Sequence, residues 1–166
     1  MSTSDDHLAL ERVRRAALLM LAVLLSQFAL GIAVNLYVSI PAHHPGARSN
    51  DYIAGSWQSL VWALHHAPAV LAAHTALGLL IVLTAAGLVL QTLRLRRRSR
   101  VAAATLGAAF VIGAGFNGGA SFLDYNKTTN SLIMALLFAL AMLCYLAIIY
   151  ELPAVRTPHS QHRRRR

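Results

Sequence analysis

The sequence has little charge and almost no cysteine. Of its 166 residues 13% are charged, where an ordinary globular chain carries about 25%. A single cysteine excludes a disulfide scaffold. The 57% hydrophobic content excludes a disordered or collagen-like chain. Carboxylates are scarce as well, with 6 Asp and Glu against 15 Lys and Arg. No nucleophile elbow, no paired-carboxylate pattern and no glycine-rich phosphate loop after a strand pattern occurs. These absences argue against a soluble enzyme and favour a non-enzymatic chain. No internal repeat stands out, and the length is too short for the two halves of a transporter.

What is present is four long apolar runs. They cover residues 16–40, 69–93, 101–122 and 131–150, and none contains Asp, Glu, Lys or Arg. A bilayer core of about 30 Å is crossed by about 20 apolar residues of helix. In lipid such runs must be helical, because no water is available to backbone amides. Period-two alternation is missing, which argues against a transmembrane barrel. The expected fold is all-α: a polytopic four-transmembrane-helix bundle over residues 16–152. It lies between a cytoplasmic segment, 1–15, and a basic cytoplasmic tail, 153–166.

Basic residues orient the bundle. Arg12, Arg14 and Arg15 precede the first run, and Arg94, Arg96, Arg97, Arg98 and Arg100 fill the link between the second and third. Arg156 and Arg163 to Arg166 follow the fourth. Only Arg48 and Lys127 fall on the other side. The positive-inside rule puts both termini and the middle link in the cytoplasm of a cell whose inner (plasma) membrane holds the chain. The tail reads as a topological signal, and no nucleic-acid partner is expected. The first run exceeds the h-region of a signal peptide, so an uncleaved helix is expected.

The external segments differ. Residues 123–130 form a short polar loop, in which Asn126, Lys127 and Thr128 fit a glycosylation acceptor. Residues 41–68 form a longer one. There Ser49, Asn50 and Asp51 are N-cap types, and Ile53, Trp57, Leu60, Val61 and Leu64 share one helical face. Gly55, Gln58 and Ser59 lie away from it. This pattern predicts a short interfacial helix on the outer surface, with Trp57 at headgroup depth. Pro68 suits the first turn of the next helix. The third run is rich in glycine and alanine. Gly115 and Gly119 make a G-x-x-x-G spacing, which allows close packing in the bundle or a homodimer through this small-residue face.

Polar residues inside the runs are the functional candidates, because such groups are costly in lipid. Asn35, His74 and Asn117 come from three different helices at similar depth below the outer ends. Tyr37 and Asp124 lie near or above that level. These five are the candidate ligand-binding residues, a polar outer-leaflet cluster open to a quinone, a lipid headgroup or a haem. A purely structural network of interhelical hydrogen bonds is the competing reading. Ser26 and Gln27 lie deeper and are assigned to helix–helix contact. A b-type haem needs two facing imidazoles. Only His74 lies inside a run, and His43, His44, His65 and His66 in the external loop are its candidate partners, or ligands of another metal. The cofactor stays open, and a haem-binding redox subunit working with quinone is the alternative to a non-enzymatic accessory or binding role.

Four stretches carry a resemblance: Val34 to Pro41, His43 to Gly46, Leu71 to Gly78 and Gly115 to Tyr125. With them the chain resembles small four-helix membrane proteins of high-GC bacteria, most of them uncharacterised, a likeness that implies the fold and no activity. More loosely, a four-helix unit with a histidine near the outer end of its second span is similar to b-type membrane cytochromes and to one half of haem A synthase. Those proteins pair histidines on facing helices, and this sequence lacks a second one inside a span.

The basic asymmetry yields a direct test. Single cysteines placed at Arg48 or Lys127 in a Cys144→Ala background should react with an impermeant maleimide on intact cells. Cysteines at Arg94 or Arg98 should react only after permeabilisation. The opposite labelling pattern would invert the topology.

Overall fold

A computed structural model describes residues 3–95, 97–123 and 128–152. Five helices account for most of them: α1 (Thr3–Tyr37), α2 (Tyr52–His66), α3 (Ala69–Arg94), α4 (Arg98–Leu123) and α5 (Thr128–Glu151). No strand occurs among the described residues. Four helices are long and apolar enough to cross a membrane: Leu8–Tyr37, Ala69–Arg94, Arg98–Leu123 and Thr129–Glu151. These four helices fit a multi-pass membrane protein. The helices overrun the apolar runs at several ends. α1 starts 13 residues before its run, carried through the polar segment by good helix formers and a Glu11–Arg15 pair at 3.2 Å one turn apart.

The long helices form a ring. α1 packs on α3 and α5, and α4 packs on the same two, while the diagonal pairs do not meet. Every neighbour pair is antiparallel. Arg14, Phe28 and Asn35 of α1 meet Leu152, Phe138 and Ser131 of the α5 side in descending order. The α4–α5 seam descends in the same way, with Gly107, Gly113 and Gly118 against Tyr145, Leu137 and Met134. A Cβ on Gly107 would lie 2.9 Å from the Tyr145 ring. That glycine is therefore the notch that admits the largest fully buried side chain of the bundle.

The core is split. A large apolar cluster fills the half that holds the N-terminus of α1: Met20, Leu24, Ile81, Leu88, Val111, Tyr145 and Ile148 are among its members. A small second cluster, with Val34, Ala63 and Leu71 at its centre and Trp62 and Phe122 against them, closes the opposite end. At the first end the terminal carbonyls of α5 are capped by arginines from two other helices. Arg14 donates to the Leu152 carbonyl at 3.0 Å and Arg100 to the Glu151 carbonyl at 2.9 Å. Ser99 adds a 2.6 Å bond to the Glu151 carboxylate. Cations at a helix C-terminus complement both the free carbonyls and the macrodipole.

α2 begins as its sequence suggests, with the Asp51 side chain accepting from the Ala54 amide at 3.0 Å. It packs on α3 and α4 through its small face, Gly55, Ser59 and Ala63, which is buried. The apolar face turns outward: Ile53 is 71% and Trp57 64% exposed. The loop before it folds onto the small face. Gly46 has φ +89°, and a Cβ there would strike the Gly55 carbonyl and the Ser59 hydroxyl. Only glycine satisfies both the left-handed backbone and that approach.

The G-x-x-x-G pair divides. Gly119 lies against Tyr52 and Ser56 of α2, whereas Gly115 has no atom within 4 Å of its missing Cβ. Hence α2 occupies one half of the small-residue face, and only the Gly115 side is open to another copy.

Two substitutions separate these environments. Gly107→Leu should cost about 1–3 kcal/mol, because a filled core has no room for the added methylenes. Gly115→Leu should change stability by less than about 0.5 kcal/mol beyond the propensity gain. Thermal melting in detergent, followed by size exclusion, would check the order, and equal losses would show that Gly115 is also a packed position.

Candidate polar site between the two cores

Between the two apolar clusters lies a band of different composition. It contains Gly31, Gly78, Gly113, Gly115, Gly118 and Gly119, more than half of the chain's 10 glycines, together with Gln27, His74, Asn117, Asn130 and Ser131. Polar side chains there are joined in pairs across helices.

α1 and α3 interlock reciprocally. Gln27 and Gly31 are one turn apart on α1, and His74 and Gly78 are one turn apart on α3. A Cβ on Gly31 would lie 3.2 Å from the His74 ring, and a Cβ on Gly78 would lie 3.2 Å from the Gln27 amide. Each large polar side chain thus sits over the other helix's glycine. The Gln27 amide nitrogen donates to the His74 carbonyl at 3.1 Å and lies 3.3 Å from His74 Nε2. If this nitrogen accepts, the imidazole proton is on Nδ1, which is buried without a partner among the described residues, as is Gln27 Oε1.

The other two asparagines turn to α5. Ser131 donates to Asn35 Oδ1 at 3.1 Å. Asn117 Nδ2 donates to the Asn130 carbonyl, and Ser121 donates back to the Asn117 carbonyl at 3.2 Å. Adjacent residues of α5 therefore tie α1 on one side and α4 on the other. Asn130 Nδ2 is buried and without a partner among the described residues. On α2, Tyr52 donates its hydroxyl to the Phe116 carbonyl and stacks on the Phe116 ring at 6.1 Å.

The sequence candidates thus resolve into separate partnerships. No direct hydrogen bond links Asn35, His74 and Asn117 among the described residues; His74 belongs to the α1–α3 seam, and the two asparagines belong to the α5 seams. Tyr37 ends α1 and is 81% exposed. Asp124 lies outside the described residues. Asn130 and Ser131 were not singled out by the sequence reading, because they stand where a polar loop runs into an apolar run. The signal that could have found the α1–α3 seam is the repeated spacing of one large polar residue and a glycine, four apart, on both helices.

The histidines do not assemble. His43, His65 and His66 are exposed, and His65 and His66 face each other edge-on at 6.3 Å. His44 is buried instead: its ring stacks on Trp62 at 4.8 Å, meets Phe122 edge-on at 6.0 Å, and its Nδ1 bonds the Pro45 carbonyl at 3.0 Å. No group of three or more His, Cys, Asp or Glu side chains suited to a metal occurs among the described residues. A six-coordinate b-type haem requires two imidazoles aimed at one iron. The His74 ring fills the Gly31 notch, and no second histidine of the described residues packs against it, so this donor set does not fit that group.

Comparison with family models, with characterised proteins and with solved structures gives no match.

The α1–α3 seam can be tested by a double-mutant cycle. Gln27→Leu and His74→Leu should each destabilise the bundle, and the double variant should lose less than the two together. The expected coupling is about 0.6 kcal/mol and at most about 1.7 kcal/mol, the range of interhelical polar contacts in a membrane. Strict additivity in reversible SDS unfolding would mean that the two side chains do not bond in the bilayer.

Proposed function

We propose that the chain is a non-enzymatic multi-pass protein of the plasma membrane with an accessory or binding role. Its recognition groups lie at the outer edge of the bilayer. The observation that carries this reading is the height of the polar pairs. About 20 helical residues cross the hydrocarbon core. Counting that length from the charge that borders each apolar run, Arg15 leads to Asn35, Arg94 to His74 and Glu151 to Ser131, while Asn117 lies 17 residues from Arg100. Four helices thus put polar residues within about one helical turn of a common level. A bilayer whose inner boundary follows Arg15, Arg94, Arg100 and Glu151 then has its outer boundary at this belt. Both termini face the cytoplasm in this placement, as the basic asymmetry indicates.

The outer turns of the helices, the 38–51 loop and α2 stand above the belt as a cap with its own small core. α2 lies at headgroup level as an interfacial helix, its Ile53–Trp57 face meeting lipid and its small face meeting the cap. The belt itself holds amides, hydroxyls and one imidazole, without a carboxylate or a lysine. Such a set binds by hydrogen bonding and offers little acid–base chemistry. This supports a binding or scaffolding role over catalysis, and the histidine geometry supports it over a haem subunit.

The absorbance spectrum separates the two classes. Protein purified from haem-replete cells should show no Soret band, oxidised or reduced. A Soret band that His74→Ala abolishes would overturn the non-redox reading.

A further inference from the structure

The Gln27–His74 contact fixes the protonation of the ring it holds. A backbone carbonyl only accepts, so the Gln27 atom 3.1 Å from the His74 carbonyl is the amide nitrogen. That nitrogen has a second hydrogen, and His74 Nε2 lies 3.3 Å from it. Nε2 therefore presents its lone pair, and the single ring proton is on Nδ1. A proton added at Nε2 would set one donor against another. Turning the Gln27 amide over would not relieve this, because its oxygen would then face the His74 carbonyl oxygen. The seam is also close, since each side chain lies over the other helix's glycine.

Nothing on the neighbouring helices offsets a positive charge at the ring. α3 packs on α1, α2 and α4. α2, α3 and α4 contain no Asp or Glu, and α1 has none after Glu11, 16 residues before Gln27. The arginines of α1, α3 and α4 lie at the opposite end of the bundle. The other titratable groups of these helices that lie towards the ring are few. Tyr37 is exposed at the end of α1, Tyr52 is bonded to the Phe116 carbonyl, and His65 and His66 are exposed at the end of α2. In the loop, His44 is held by Trp62, Phe122 and Pro45, and Asp51 by the start of α2. An imidazolium at position 74 would stand without a counter-ion, which is costly inside a membrane protein.

We propose that the Gln27–His74 contact is an acid-sensitive clasp, in which protonation of the imidazole releases α1 from α3 at the polar band. The closed seam needs the neutral ring, whereas in an open seam the ring takes a proton as an exposed histidine does. Proton uptake and closure therefore compete. The clasp holds above the ordinary imidazole range, about 6.5, and weakens as the pH falls below it. Opening would free the Gln27 amide and the imidazole together. That the outer solution supplies the proton rests on the membrane placement proposed above; the clasp itself rests on the seam alone.

The test uses the full-length protein in detergent, where both ends meet the same pH and the result does not depend on the membrane placement. Spin labels go on Leu36 and Ala73, exposed near the paired ends of α1 and α3, in a Cys144→Ala background. Between about pH 8 and about pH 5 the label distance should lengthen by about 5 Å, half a helix diameter. His74→Gln should hold one distance at both pH values, and His65→Gln/His66→Gln should keep the response. An unchanged distance in the labelled background, a response that survives His74→Gln, or one that is lost with His65 and His66 would overturn the proposal. Nitrogen NMR of the isotope-labelled, unsubstituted protein gives a second reading that needs no variant. At about pH 8 the His74 ring, identified by its contact with Gly31, should carry its proton on Nδ1, and a ring protonated on Nε2 would overturn the clasp.

Discussion

Shape complementarity at glycine notches is the constraint on which this bundle depends. Helices made of uncharged residues gain no hydrophobic drive from meeting each other in lipid, since the tails are as apolar as leucine. Association then requires close packing, and close packing needs one helix to yield. Gly107 yields to Tyr145, Gly31 to His74, Gly78 to Gln27, and Gly119 to Tyr52 and Ser56. In each case a large or polar side chain of one helix is received by a missing Cβ of another. The ring order and the antiparallel registers follow from which notch accepts which side chain.

Much of the fold is legible in the sequence because two signals are physical necessities. A charge-free run of 20 or more residues has few alternatives to a helix of membrane-crossing length, and arginines mark one end of each of the first three runs, although α1 and α4 continue through them. The start of α2 was readable from the N-cap types Ser49, Asn50 and Asp51, of which Asp51 takes the position. The pairing of the polar residues was not. Asn35, His74 and Asn117 share a level, which rise per residue gives, but azimuth decides contact, and azimuth depends on the packing of whole helices. His74 turned to Gln27 because Gly31 left room for its ring there. The face of α2 was ambiguous for a related reason. An apolar stripe can face protein or lipid, and the small residues Gly55, Ser59 and Ala63 settled the matter by allowing the loop at Gly46 to approach.

The two ends of the bundle solve opposite problems. The end carrying Arg14, Arg100 and Glu151 is charged, so it can close α5 with long side chains that reach across helices. Those arginines cap the final carbonyls of α5, a role that the basic asymmetry of the sequence does not reveal. The belt at the other end is neutral. Amides and hydroxyls suit a place where a charge would need a buried counter-ion and an unpaired group would cost more than its bond returns.

That neutrality has a consequence for hydrogen bonding. A belt of Asn, Gln, Ser and His offers donors and acceptors in nearly equal measure, so it discriminates by geometry rather than by sign of charge. Three buried atoms without a partner among the described residues lie in the band, Gln27 Oε1, His74 Nδ1 and Asn130 Nδ2: an acceptor, an imidazole nitrogen whose role follows the tautomer, and a donor. They stand on three different helices, each backed by a glycine or a neighbouring polar pair. Charge is therefore divided along the bundle: uncharged hydrogen-bonding groups lie in the band beside the small core, and Arg14, Arg94, Arg97, Arg98 and Arg100 lie at the opposite end.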